Sequence, residues 1–295
     1  MSARKKRADL LPPGSLTNVC LGVSVSESAD LARLGLTEMH FRLTLAEVAR
    51  CVLVSGGYLA YGGHLEPQGY TTFLVHELER YGRRDRALKI CLAWSEHRKL
   101  ALSALAAEKD NLGLLAELVY LDPSGSPVGV DTERGEEPPQ DLDAETIRRS
   151  LTGLRRYMAR TTQGRLLIGG RRTDFQGDMP GLLEEALCAV EARQPLYLAG
   201  GYGGITHDIA VALGVDDAKW VPNLNTGHTD ARVLAAMEKL IHALRSSRGQ
   251  SLENGLSREE NQQLATCHRP SEIATLVSLA LGRRLGRSSG AETNG

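Results

Sequence analysis

The sequence predicts an α/β fold, a Rossmann-like parallel sheet with helices on both faces, plus a helical C-terminal extension. Three observations predict it. Short apolar, β-rich runs alternate with stretches whose apolar residues recur at helical spacing. Most of these runs end in small residues, as strands do before a turn into a helix. From Asp230 to Leu285 only helical periodicity remains.

The elements follow in order. Residues 1–15, ending in "PPG", read as a disordered tail, and "RKKR" at Arg4–Arg7 as its solvated charge. "NVCLGVSVS" (18–26) is the first strand. A helix follows, with Phe41, Leu45, Val48, Ala49 and Val52 on one face and Gly56 as its stop. "YLAYGG" (58–63) is a strand and "GYTTFLVHELERYG" (69–82) a helix. "ALKICLAW" (87–94) and "LAELVYL" (115–121) are strands, and the Pro-, Gly- and acid-rich residues 123–141 a surface loop. Residues 143–162 form a strongly amphipathic helix with Asp143 as N-cap. "RLLIGG" (165–170), a helix over 179–192 with Pro180 near its first turn, "PLYLAGG" (195–201) and "ITHDIAVALG" (205–214) complete the alternation. The C-terminal helices break at "GQSLENG" and at Pro270. The expected organisation is a single domain over 16–286, with its C-terminal helices at 230–286, and a tail at 287–295.

Composition limits the function. Lys and Arg total 35 against 36 Asp and Glu, so the near-neutral chain argues against a nucleic-acid partner. No run approaches the ~20 apolar residues of a membrane span, and the charged N-terminus lacks the apolar core of a secretory signal. Five dispersed cysteines without a CxxC pair read as buried thiols in a reducing compartment, so a cytoplasmic location is expected.

The strand-end turns hold Ser24, Ser26 and Ser28; Gly62 and Gly63; Gly169 and Gly170; and Gly200, Gly201, Gly203 and Gly204. In a parallel sheet all lie at the carboxyl edge, where open α/β sheets bind ligands. Backbone N–H groups and helix N-termini there suit a phosphate. Neither GxGxxG in the first turn nor a Walker A sequence is present. If "GGYGG" cradles phosphate, Gly201→Val or Gly203→Val should abolish binding and spare the fold.

"LIGGRRTDFQGDMPGLLEEALCAVEARQPLYLAGGYGGITHDIA", with "VCLGVSVSES" and "LAYGGHLEPQGYTTFLVHEL" before it, resembles the SLOG superfamily. That Rossmann-like group includes the lonely guy phosphoribohydrolases, Smf, the N-terminal regions of melastatin-type channels and the sensor domains of Thoeris antiphage effectors. The resemblance covers roughly residues 18–215. The phosphoribohydrolases carry P-G-G-x-G-T-x-x-E. Aligned on "GGYGG", their proline is Ala199 here, their threonine Gly204 and their glutamate His207. Asp208 lies one residue on, about 100° around a helix. The glycines are kept and the acid is lost, which favours a binding pocket over a hydrolase.

Other residues are candidates by type. Arg171 and Arg172 follow Gly170 and suit bidentate phosphate contact. Among Asp174, Asp178 and Glu184 a carboxylate could hold ribose hydroxyls, though Asp178 reads rather as the N-cap of the next helix. His64 and His207 suit contact with a base or ribose, and Tyr202 either stacks on a base or packs on a helix. No HxxxH or HExxH spacing occurs, so no metal is expected, and no cofactor is implied. If the chain is an enzyme, His207, Asp208 and Glu184 are the catalytic candidates.

The resemblance implies a sensor of a nucleotide-derived signal, ADP-ribose- or NAD-related, within antiphage defence and working with a separate effector. The alternative is a nucleotide N-glycosidase cleaving the ribose–base bond. The apolar spacing of 273–285 suggests a stripe that packs on the domain or makes a homo-oligomer, and a homo-oligomer is expected.

Overall fold

The computed structural model describes residues 11–81, 85–133, 135–138, 142–217, 230–248 and 252–291. Its strands are β1 (Cys20–Ser26), β2 (Tyr58–Gly62), β3 (Leu88–Leu92), β4 (Ala116–Tyr120), β5 (Gly164–Gly169) and β6 (Leu196–Ala199). They form one sheet in the order β4-β3-β2-β1-β5-β6, every pairing parallel. The order reverses between β1 and β5, so the carboxyl ends of these two strands flank the topological switch point.

Side-chain alternation decides which residues face which layer. Leu21, Val23 and Val25 of β1 point to the layer of α1 (Glu38–Val54) and α2 (Tyr70–Arg80). Cys20 points to the layer of α5 (Ala144–Thr161), with Leu154 and Met158. Leu196 and Leu198 of β6 pack with α6 (Gly181–Glu191), α7 (Gly204–Ala212) and α8 (Ala231–Arg248). The sheet is therefore covered on both faces.

Two helices absent from the sequence reading, α3 (Trp94–His97) and α4 (Leu102–Leu112), join β3 to β4. A parallel pair demands such a crossover. Trp94 accordingly opens α3 rather than ending a strand. Glu136, in the surface loop, caps α4: its carbonyl accepts from Leu102 N–H (3.1 Å) and its carboxylate from Ser103 N–H (3.0 Å). Asp143 caps α5 by accepting from Thr146 N–H at 2.8 Å. Asp178 is not a cap. Pro180 occupies the N-cap position of α6, and Asp178 instead lies 3.7 Å from the Arg148 guanidinium.

The C-terminal helices are α8, α9 (Arg258–Thr266) and α10 (Pro270–Ala291). The break at Pro270 is the start of α10, since proline is well suited to a first helical position. Ile273, Ala274, Val277, Ala280 and Leu281 are buried, and α10 packs along α1. The apolar stripe read from the sequence is thus consumed within the chain. At the other end, Leu16 is fully buried and donates its N–H to Ser55. No described helix is long and apolar enough to cross a membrane.

Because Ile273 has no exposed surface, Ile273→Ala should destabilise the fold by about 2–5 kcal/mol. Urea melts at two protein concentrations check it. An intramolecular stripe gives the same loss at both, whereas a stripe used between copies gives a loss that grows on dilution.

Candidate functional site

The glycine turns do meet at the carboxyl edge, but they do different things there. Gly169 (φ +70°) and Gly170 (φ +104°) adopt left-handed backbone that side chains resist. Gly170 donates its N–H to the Ser26 carbonyl (3.0 Å), and its own carbonyl accepts from Ile205 N–H (3.0 Å). A Cβ at Gly170 would overlap the Ile205 side chain. The turn after β5 therefore joins the end of β1 to the start of α7.

The "GGYGG" segment is packed from inside. Gly200–Tyr202 form a single 3-10 turn. A Cβ at Gly201 would overlap the Cys267 carbonyl, in the link between α9 and α10, and one at Gly200 would lie 2.6 Å from the Ala265 carbonyl. A valine at Gly201 would break that packing, so its effect on the fold cannot be separated from any effect on a ligand.

Of the two readings of Tyr202, the structure shows the second, packing on a helix. It is wholly buried and meets Phe41 edge-to-face at 5.2 Å, and its hydroxyl bonds Thr44 and the His268 carbonyl. It is a core side chain, with no face left for a base.

The N-terminus of α7, where the glycine loop would cradle phosphate, already holds an anion. Asp30, from the turn after β1, accepts from Gly204 N–H at 2.7 Å and from the Arg172 guanidinium at 2.7 Å. Arg172 also makes a two-pronged contact with Asp208 (2.6 and 2.9 Å). These acidic partners hold the guanidinium proton tightly despite desolvation. Arg172 is thus committed inside the protein, and Asp208 with it. Arg171 differs: among the described residues its one side-chain partner is Glu27 at 2.7 Å, and both side chains are largely exposed.

Two further N-termini at this edge are open, unlike those of α1 and α5, which are capped. α2 begins at Gly69 and α6 at Pro180, and neither has a side-chain cap. At α2 the His64 ring lies against Gly69, and His64 Nδ1 is 3.7 Å from Glu66. Burial, with the Glu38 carboxylate behind it, pushes the Tyr70 hydroxyl far up, so it stays protonated. Gly63 continues the turn, while Gly62 fits against Met158 Sδ, where a Cβ would come within 2.7 Å.

Below the edge, between the sheet and α5–α6, lies a cluster the sequence did not indicate. Glu184 accepts from Arg155 and Thr152. Glu185 accepts from Ser24 and from Arg165 (3.0 Å), whose side chain is 1% exposed. Ser24 therefore points down to Glu185 and away from the edge, whereas Ser26 ends β1 at the edge itself. Ser24, Gly62 and Glu184 face this layer; Ser26, Gly63, His64, Gly169 and Arg171 gather at the switch point.

His207 lies one turn into α7, buried, 3.7 Å from Asp216. Burial holds its pKa below the ordinary 6.5, against the pull of Asp208 and Asp216. The thiols are poor nucleophiles: burial raises Cys20 to about 11 and Cys91 to about 12.

This arrangement defines a Rossmann-like α/β scaffold. Residues 15–264 match the family model SLOG cluster2, and the chain belongs to that SLOG family, whose domain bears on nucleotide-related binding or processing. No curated protein and no solved structure matches it.

Two outcomes follow. Asp30→Ala leaves Arg172 and the α7 N-terminus without their shared partner. It should cost about 3–5 kcal/mol in chemical denaturation, with Asp30→Asn between it and the parent because an acceptor remains. The second concerns pH. The unfolded His207 takes up its proton near 6.5, before the native one. Native stability should therefore fall as pH drops below about 6.5 and level off only below the depressed native value. His207→Gln should flatten that limb in urea melts taken across the range.

Proposed function

We propose that the chain binds a nucleotide-derived ligand, ADP-ribose- or NAD-related, in the crevice between the ends of β1, β2 and β5. One observation carries the reading. At the switch point, α2 and α6 present N-termini without side-chain caps, while the α7 N-terminus is filled by Asp30. An anion is drawn to the open ends, where N–H groups and the helix dipole both favour it. In this reading the main chain at Tyr70–Thr72 and the His64 ring receive a phosphate, and Arg171 leaves exposed Glu27 to pair with a second. Gly169 and Gly170 let the ligand approach the main chain. The ligand acts as a signal, in antiphage defence, through a separate effector protein. A homo-oligomer belongs to the same proposal and would use the exposed Met39 and Leu43 of α1, since the α10 stripe is taken.

A second reading, a nucleotide N-glycosidase, is favoured by Glu184 and Glu185. The phosphoribohydrolase motif can also be laid on β5–α6, with residues 171–180 interposed. Its glycine pair is then Gly169–Gly170, its third glycine Gly181, its threonine Leu182 and its glutamate Glu185. On this alignment the acid is kept. Each carboxylate is paired with an arginine, Glu184 with Arg155 and Glu185 with Arg165, and lies where an electrostatic stabiliser of a sugar cation would.

The experiment incubates the protein with ADP-ribose and NAD, follows the thermal midpoint and analyses the small molecules by mass spectrometry. Binding should raise the midpoint and return the ligand intact, and Arg171→Ala should weaken binding by about 1.5–3 kcal/mol. Release of free base over many turnovers, lost in Glu185→Gln, selects the glycosidase instead. No midpoint rise with either compound rejects the proposed ligand class.

A further inference from the structure

The amino edge of the sheet, opposite the glycine turns, has a cavity of about 470 Å³. It opens beside Val19, Gln163 and Pro195, which precede β1, β5 and β6. Arg160, Arg193 and Arg284 line it, and among the described residues no carboxylate does. Its floor is fixed. Buried Gln194 donates to the Thr162 carbonyl at 2.9 Å, and Gln163 exchanges hydrogen bonds with the Cys20 main chain at 2.7 and 2.8 Å. Arg284 donates to the Glu253 carbonyl, which fixes one wall. The side chains of Arg160 and Arg193 make no hydrogen bond or ion pair with any described residue.

Arg193 also stands where an arginine is out of place. α6 ends in a reciprocal main-chain closure, Gln194 N–H to Ala189 (2.7 Å) and Arg193 N–H to Val190 (3.0 Å). That closure puts Arg193 at φ +55°, in the left-handed region where glycine is the unstrained choice. A cavity that gathers the guanidinium groups of Arg160 and Arg193 suits a compact, multiply charged anion.

We infer that this cavity is a second ligand site, separate from the switch-point crevice, for a small multivalent anion bearing phosphate or carboxylate groups. Arg160 and Arg193 are its charged contacts, and Arg284 with Gln194 its rigid frame. The cations also complement the C-terminal ends of α5 and α6. That role alone gives no saturable binding and no dependence on the shape of the anion.

Calorimetric titration with pyrophosphate and, separately, with citrate in chloride buffer tests the inference, with Arg193→Gly and Arg160→Gln as variants. Wild-type protein should bind at least one probe saturably and gain thermal midpoint. Each variant should lose this binding by about tenfold or more. Arg193→Gly should keep or raise the ligand-free midpoint, since glycine relieves the left-handed residue, and should bind ADP-ribose as the parent does. Response to pyrophosphate alone assigns a phosphate compound, and response to citrate alone a polycarboxylate. The inference falls if neither probe binds wild-type protein, or if Arg193→Gly keeps the full stoichiometry and affinity.

Discussion

The carboxylate of Asp30 is the interaction on which the arrangement of the carboxyl edge depends. It is almost wholly buried, and a buried charge persists only where donors surround it. Gly204 N–H supplies one, at a helix N-terminus that favours negative charge, and Arg172 supplies another. The three residues come from the turn after β1, the turn after β5 and the start of α7. One carboxylate thus fixes how α7 leaves the sheet, and α7 in turn carries Ile205 and Ile209 into the layer shared with α6 and α8. Gly203 is a glycine for this approach, since a Cβ there would lie 2.5 Å from Asp30 Cβ, whereas a Cβ at Gly204 would lie 2.5 Å from the Gly170 carbonyl.

The two edges of the sheet are electrically unlike because its strands are parallel. Helices that follow a strand begin near its carboxyl end and finish near the amino edge. Amide N–H groups gather at one side and carbonyl groups at the other. The sequence answers each side in kind. Carboxylates, Asp30 and Asp143 among them, sit at helix starts. Arg160 and Arg193 sit where α5 and α6 end. At α2 no side-chain cap supplies such a group.

The strands were legible because apolar runs ended in small residues, and β1, β2, β5 and β6 stop within a residue or two of their predicted ends. α4 was not. Only Leu105 and Leu112 of that helix are buried, so it carries little periodicity, and its cap is Glu136, far along the chain. At the site, glycine marked the turns correctly but could not say what fills them. Asp30 lies 174 positions from Gly204 and stands in an ordinary polar stretch. The sequence left Tyr202 open between a base platform and a packing residue because nothing local shows Phe41 and Thr44 closing over it. Glu185 has the same character: its partners Ser24 and Arg165 become neighbours only when β1 and β5 pair.

That pairing has a consequence for the order in which the chain is made. β1 is an inner strand with β2 on one side and β5 on the other, yet Leu21 pairs with Gly164. During synthesis β1, β2, β3 and β4 emerge first and can associate while one long side of β1 still lacks its neighbour. Leu21, Val23 and Val25 then border an open row of main-chain donors and acceptors, a template for pairing with another nascent chain. A ribosome-bound chain stalled ahead of Gly164 should therefore engage chaperones strongly, and one released after β5 has emerged should not.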